Sequence, residues 1–348
     1  MWENKSVLIT GGTGYLGRAL IDYLSVKHCK RIIAYARDPH KHEELKRDFF
    51  HVTALRSFMG DIRDKERLYM AMKGVDICIH TAALKSIASA EYNPSEAYSI
   101  NVAGTHNVLA ACHKNKVRMT FLSTDKAVNP TTHYGKTKAL AESLTLNYNY
   151  YSTLFSAVRY GNVMGSTGSV LPLFQDLAKK KSPLPITDPE MTRFWMSKKQ
   201  AVRMVELSLT YPPGSLVVGH SPTFKVVDLA ATVHQRLPRP VIGVKPNEKI
   251  HEILISKEEL PRAQRYKDHY LIEPAVSYDD SIVYHIKGTP VTEEYTSDNR
   301  KDRLTRSEIR DYINPPNQAF RDDRSRYQNG KQSVAQQSSN PGEGSPRV

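Results

Sequence analysis

Apolar runs alternate with amphipathic stretches through the first 125 residues, the pattern of a parallel sheet assembled from βαβ units. It predicts strands over Ser6–Thr10, Arg31–Ala36, Ala54–Met59, Val75–His80, Val117–Thr124 and, further on, Ser156–Tyr160. Helices are predicted over Leu16–Lys27, where Leu16, Leu20, Ile21 and Leu24 share one face, over Ser95–Lys114, and from about Tyr134. Beyond Asn162 the periodicity loosens, with glycine, proline and serine recurring over 161–168, 182–189 and 211–214. A helix near Lys198–Leu209 and a strand near Leu216–Val218 are expected to return to the main sheet. Thr305 and Glu308 form a capping-box pair that predicts a last helix to Ile313. From Asn314 onward almost nothing is apolar, and residues 314–348 are expected to be a disordered tail. The fold class is therefore α/β, a doubly wound parallel sheet with a smaller C-terminal region.

Composition narrows the class little. At 348 residues, with 40% apolar and 24% charged, the chain is an ordinary globular protein. No apolar run approaches the roughly 20 residues needed to span a bilayer, and no long apolar leader precedes the first strand, so a cytoplasmic protein without membrane partners is expected. Cys29, Cys78 and Cys112 are too few and too scattered for a disulfide framework or a metal site. The net charge of +13 favours anionic ligands. With no zinc-finger spacing, aromatic RNA-binding motif or dense basic block, small anions are favoured over nucleic acid.

The candidate chemistry begins where the first strand ends. Gly11, Gly14 and Gly17 give a G-x-x-G-x-x-G spacing that opens the first helix. Such a turn brings backbone close to a pyrophosphate and offers it the free N–H groups of a helix N-terminus, as in a Rossmann-type dinucleotide site. The second strand ends in Arg37, not in the carboxylate that would bond an NAD ribose. A guanidinium there suits the 2′-phosphate of NADP. Asp38 follows at once and keeps NAD as the alternative. Asp61–Asp64, after the third strand, falls where a loop would meet the adenine.

Tyr134 and Lys138 form Y-x-x-x-K, on one face of a helix. A nearby ammonium favours phenolate, which makes the tyrosine a base toward a carbinol. At the carboxyl end of the fifth strand stands Ser123-Thr124-Asp125-Lys126, an adjacent acid and base aimed at the same crevice. Simple alcohol oxidation needs neither.

These motifs resemble those of the UDP-N-acetylglucosamine 4,6-dehydratases of the extended short-chain dehydrogenase superfamily, in particular the short subgroup that also inverts C5. The likeness runs from about Lys5 to Ile313. It includes Gly11–Gly17, Asp61–Asp64, His80–Lys85, Asn101–Thr105, Ser123–Lys126, Tyr134–Lys138, Arg159–Val163, Met191–Phe194 and Lys245–Glu252. Related thymidine-diphosphate-sugar dehydratases carry Thr-Asp-Glu at Thr124-Asp125-Lys126, and 4-epimerases carry small hydroxyl residues there. The resemblance therefore implies elimination, with 4-epimerisation or C5-retaining dehydration as the alternatives. Departures are Thr167 in place of an arginine, Ser86 in place of a histidine and Asn247 in place of a glycine.

The resemblance also implies roles. Thr124, Asp125, Lys126, Tyr134 and Lys138 form the catalytic set. Tyr134 takes the C4 hydroxyl proton, and Lys138 holds the nicotinamide ribose and lowers the tyrosine pKa. Lys126, partly neutral, takes the C5 proton and Asp125 protonates the leaving C6 hydroxyl. Gly11, Thr13, Gly14, Tyr15, Leu16, Gly17, Arg37, Asp61, Ile62, Ala82, Ala83, Lys85, Asn101, Tyr134 and Lys138 are expected at the cofactor, with Asn101 organising the tyrosine–lysine relay. Lys85, Thr124, Asn162, Arg193, Lys245 and Glu248 are expected at the UDP-sugar. His251 is either a ligand or a satisfied core histidine. The expected organisation is an NADP-binding Rossmann domain over 1–162, joined again by 198–220, and a substrate-binding region over 163–197 and 221–313. A homo-oligomer is expected.

Overall fold

The computed structural model describes residues 1–151, 154–276 and 288–314; the expected tail from 315 lies outside the described residues. The chain divides into two units, Met1–Ile309 and Arg310–Val348, and the fold below is that of the first. Its strands are β1 (Ser6–Thr10), β2 (Arg31–Ala36), β3 (Leu55–Met59), β4 (Ile77–His80), β5 (Arg118–Leu122), β6 (Phe155–Arg159), β7 (Asn162–Val163), β8 (Thr192–Met196), β9 (Leu216–Gly219), β10 (Thr223–Lys225), β11 (Ile253–Ile255), β12 (Ala263–Arg265), β13 (His269–Ile272), β14 (Thr289–Pro290) and β15 (Tyr295–Thr296). Ten of them form one sheet in the order β14-β12-β13-β9-β6-β5-β4-β1-β2-β3. From β9 to β3 every pairing is parallel.

Both faces of this sheet are covered, so its strands read as unbroken apolar runs instead of alternating. In β1, Leu8 packs into one core while Val7 and Ile9 pack into the other. The helix α1 (Tyr15–Ser25) buries Leu20, Ile21 and Leu24 on the Val7 side. Val108 and Leu109 of a second helix, Gly104–Lys114, lie on the Leu8 side. This doubly wound Rossmann-like sheet is the fold expected.

Two features differ from the sequence expectation. The long helix over Ser95–Lys114 is broken: α2 (Pro94–Tyr98) and α3 (Gly104–Lys114) flank a π-helical turn, Ser99–Ala103. The helix before the turn has only five residues, too few to establish a phase against which the extra residue of a π-turn would show. Second, β12, β13 and β14 lie within the stretch read as substrate-binding region, yet they extend the central sheet as antiparallel strands beyond β9. They are two to four residues long, too short to show a period.

Two small sheets stand apart. In one, β8 pairs parallel with β7 and antiparallel with β10, which sets Asn162 opposite Trp195, two residues from Arg193. In the other, β11 pairs with β15. At the chain's last described helix, the Thr305 N–H donates to Glu308 Oε2 and the Glu308 N–H donates to Thr305 Oγ1, the cap that was expected.

Candidate active site

The carboxyl ends of β1, β4, β5 and β6 carry, in turn, the glycine turn, the 81–85 loop, Thr124–Lys126 and Gly161–Asn162. Gly11 has a positive φ of 69°, and a Cβ there would lie 2.7 Å from Thr81 Oγ1. Gly17 lets α1 close on the turn, because its Cβ would lie 2.5 Å from the Gly11 carbonyl oxygen. Gly14 is the N-cap of α1, with no side-chain cap and no acidic residue in the first turn. Those first N–H groups, carrying the positive end of the helix dipole, suit a diphosphate. The residues present therefore fit a dinucleotide. Thr13 is buried in the turn, and the Tyr15 hydroxyl donates to the Met164 carbonyl, tying the turn to the loop after β7.

At the tip of β2, Arg37 is exposed and lies 3.8 Å from Asp61 Oδ2. Asp38 is turned away: its Oδ1 accepts from the His40 and Lys41 N–H groups as the N-cap of the following helix. Burial raises the Asp61 carboxyl, but hydrogen bonds from Arg63 outweigh it and hold the group below the usual range. Ile62, beside it, is buried.

Asn101 sits on the π-helical turn. Its Oδ1 accepts from the Leu84 N–H at 2.8 Å, and its Nδ2 donates to the Leu84 carbonyl and to Thr137 Oγ1. It thus staples the loop holding Ala82 and Ala83 to the helix α4 (His133–Asn147) that carries Tyr134 and Lys138. It bonds neither of those two side chains. Lys85 donates to the Thr167 carbonyl at 2.6 Å, and burial depresses its pKa.

The acid and base stand in a single 3-10 turn, Asp125–Ala127, capped by Thr124. Gly135 allows α4 to approach this turn; a Cβ there would come within 2.3 Å of the Lys126 carbonyl oxygen. Asp125 Oδ1 accepts from Thr124 Oγ1 at 2.9 Å and from Lys126 Nζ at 3.1 Å. Its Oδ2 is buried without a partner. Burial pushes the Asp125 carboxyl up, and the charge of Glu252 adds to the rise, as a general acid requires.

Lys126 differs from expectation. Its Nζ lies 3.1 Å from Asp125 Oδ1 and 3.0 Å from Glu252 Oε1. Burial alone would favour the neutral amine, but the two carboxylates outweigh it and hold the ammonium. The partly neutral lysine read from the sequence is thus not the resting state.

Tyr134 also differs. Burial raises its phenol to about 12, and the cation pulling it down is Lys126, helped by a hydrogen bond with Thr124. Lys138, expected to do this, points elsewhere: its Nζ donates to the Leu122 carbonyl at 2.6 Å and sits 3.9 Å from the centre of the Phe121 ring. Burial lowers its pKa to about 7.

On the sugar side, Arg193 donates to the carbonyls of Thr192 and Ile250, with Glu248 Oε1 at 3.3 Å and Glu252 Oε1 at 3.7 Å. Asn162 Oδ1, Glu248 Oε2 and Glu252 Oε2 are buried acceptors without partners. Such acceptors are costly unless something donates to them. Lys245 is exposed on the adjoining loop, and its carbonyl accepts from the Glu248 N–H at 3.0 Å. His251 bonds Thr192 Oγ1 at 2.8 Å, the satisfied-histidine alternative. Sequence reading assigned no role to Glu252, which only the fold brings to Lys126.

Among the described residues no group of side chains is arranged to hold a metal, and no helix is long and apolar enough to cross a membrane. Residues 7–274 match the family model described as polysaccharide biosynthesis protein. The chain is 38% identical over 330 residues to UDP-N-acetylglucosamine 4,6-dehydratase (inverting) of Campylobacter jejuni, covering 90% of this chain and 98% of that one. It is 36% identical to UDP-glucose 4-epimerase of Rickettsia bellii, covering 90% and 96%. The structure of Pen from Bacillus thuringiensis superposes with a TM-score of 0.83 at 31% identity, over 90% of this chain and 98% of that one. The chain thus belongs to the polysaccharide biosynthesis protein family, and its fold is that of the extended short-chain dehydrogenases.

Proposed function

We propose that this chain is an NADP-dependent UDP-N-acetylglucosamine 4,6-dehydratase that inverts C5. One observation carries the reading: Asp125 and Lys126 are held against each other in the crevice within electrostatic reach of Tyr134. Elimination of water from a 4-ketosugar needs a base for the C5 proton and an acid for the C6 hydroxyl. A carboxyl raised by burial and an amine beside it are such a pair.

NADP(H), cradled by Gly11–Gly17, would take the hydride from C4 and give it back at C6, so that the reaction involves no net oxidation. Tyr134 takes the C4 hydroxyl proton, and its phenolate is favoured by Lys126 and Thr124. The ketone formed acidifies the C5 proton, which the Lys126 amine removes. Asp125 gives its proton to the C6 oxygen, which leaves as water, and Lys126 returns a proton to the opposite face of C5 as C6 becomes a methyl group. Lys138 and Asn101 shape the floor of the cofactor site. Arg193, Asn162 and Glu248 hold the nucleotide sugar, with Lys245 at the rim. The choice of NADP rests on Arg37, exposed at the β2 tip while Asp38 is occupied as a helix cap.

The relatives named as 4-epimerases motivate a second reading, in which Tyr134 and the cofactor act alone and Asp125 and Lys126 are a loop ion pair. Incubation with UDP-N-acetylglucosamine in deuterated water, followed by proton NMR, separates the two. The expected product is a 4-keto-6-deoxy sugar carrying deuterium at C5. Appearance of UDP-N-acetylgalactosamine instead would establish the epimerase.

A further inference from the structure

We infer that Glu252 is a positioning residue for Lys126, holding its amine through a second carboxylate and so governing the proton that Lys126 shares with Asp125. This rests on the proposed elimination for its catalytic meaning, though not for its electrostatics.

The placement of Glu252 is a built one. It sits immediately before β11 and is 3% exposed. Its N–H donates to Ser297 Oγ at 2.8 Å and its carbonyl accepts from the Ser297 N–H at 2.8 Å, so the residue after β15 locks its backbone. One carboxylate oxygen reaches Lys126 at 3.0 Å and Arg193 at 3.7 Å; the other is buried without a partner. The groups facing Lys126 are thus Asp125 from its own turn, Glu252, Arg193 from β8, Lys249 from the preceding loop and Tyr134 from α4. Two anions and two cations surround one ammonium, so removing Glu252 tips the balance against its charge.

The proton bookkeeping gives this arrangement its purpose. A lysine held as ammonium cannot take the C5 proton until it gives one up. The acceptors bonded to it are Asp125 Oδ1 and Glu252 Oε1. Transfer from Lys126 Nζ to Asp125 breaks one N–H bond and forms one O–H bond, producing a neutral amine and a carboxylic acid together. Those are the base for C5 and the acid for the C6 oxygen, and this transfer itself draws no proton from solvent. Glu252 remains ionised against Arg193 and keeps the amine in place throughout.

The test titrates Lys126 in the NADP-bound protein by NMR of carbon-13-labelled lysine, assigned with Lys126→Arg. The parent should hold Lys126 charged above the ordinary lysine midpoint of about 10.4. In Glu252→Gln the midpoint should fall by at least about one unit, tenfold in proton affinity, whereas Glu252→Asp keeps most of the effect. With UDP-N-acetylglucosamine, the alkaline limb of C5 deuterium exchange should move to lower pH in Glu252→Gln. A purely structural role would lower the rate at every pH without moving the limb. An unchanged Lys126 midpoint in folded Glu252→Gln overturns the inference. If that variant does not fold, a parent midpoint at or below the ordinary value overturns it. Should the parent leave UDP-N-acetylglucosamine untouched while the Lys126 midpoint still falls, the dehydratase reading fails and the assignment of Glu252 stands.

Discussion

Arg159, at the end of β6, and Glu142, on the helix that carries Tyr134 and Lys138, form an ion pair buried from solvent, Nε to Oε2 at 3.1 Å. The same guanidinium donates to both oxygens of Glu259 at 2.8 Å and to the Leu254 carbonyl. One arginine therefore binds α4 to the segment that follows β11. Arg159→Ala would strand two carboxylates in the interior and should destabilise the fold by about 3–5 kcal/mol, the range for breaking a buried pair. Arg159→Lys should recover only part, since an ammonium cannot make the bidentate contacts. Urea unfolding of the three proteins measures both.

The oxidation and elimination groups should fail differently. Tyr134→Phe is expected to stop all turnover, because the C4 proton has no acceptor. Lys126→Ala should still oxidise C4, though more slowly because Tyr134 loses the cation that favours its phenolate, so reduced-cofactor absorbance appears without product release and without C5 deuterium exchange. Asp125→Asn should slow product formation by ~10²–10⁴-fold, the worth of a positioned general acid. Dehydration at the normal rate by Lys126→Ala would reduce the pair to a loop contact.

Cofactor preference should follow one guanidinium. With Asp38 occupied as a cap, Arg37→Ala is predicted to weaken NADP(H) while leaving NAD(H) binding intact. Calorimetric titration of both cofactors checks this; equal affinities in the parent protein would count against the assignment.

Lys138 makes stability depend on pH. Burial lowers its folded pKa to about 7, below the unfolded value of about 10.4. Between these limits the unfolded chain binds a proton that the folded protein does not. Stability from this group therefore rises with pH through the window, by at most about 1.4 kcal/mol per unit. Below it, folding must charge a buried amine and that gain is absent. In the absence of cofactor, melting temperature against pH should climb more steeply for the parent than for Lys138→Met. Parallel curves would show that Lys138 is charged as it stands.

Gly17 is predicted to be irreplaceable. A Cβ would meet the Gly11 carbonyl oxygen at 2.5 Å and Gly12 Cα at 2.6 Å, both backbone atoms. Gly17→Ala should cost about 1–3 kcal/mol through overpacking and weaken cofactor binding by pushing α1 off the turn. Thermal melts with and without NADP would register both effects.

Elements whose side chains repeat with a clear period, and motifs whose chemistry is local, were legible in the amino-acid order alone. β1, β2 and α1 lie where the apolar runs placed them because each buries a contiguous apolar face. The glycine turn was legible because its spacing serves a backbone requirement. Asp125 and Lys126 could be paired on paper because they are neighbours in the chain. Groups far apart in sequence, or turned by a single backbone adjustment, found their partners only in the folded chain. Glu252 reaches Lys126 across 125 residues of intervening chain through the short β11–β15 pairing. The π-helical turn points Asn101 at Leu84, and the five-residue helix before it is too short for the change of phase to show. Lys138 shares a helix face with Tyr134, yet its amine turns to the Leu122 carbonyl and leaves the phenol to Lys126. Spacing fixes which face a side chain leaves from. Where its charge ends up depends on the hydrogen-bond acceptors and carboxylates that folding brings within a few ångströms, and those come from distant parts of the chain.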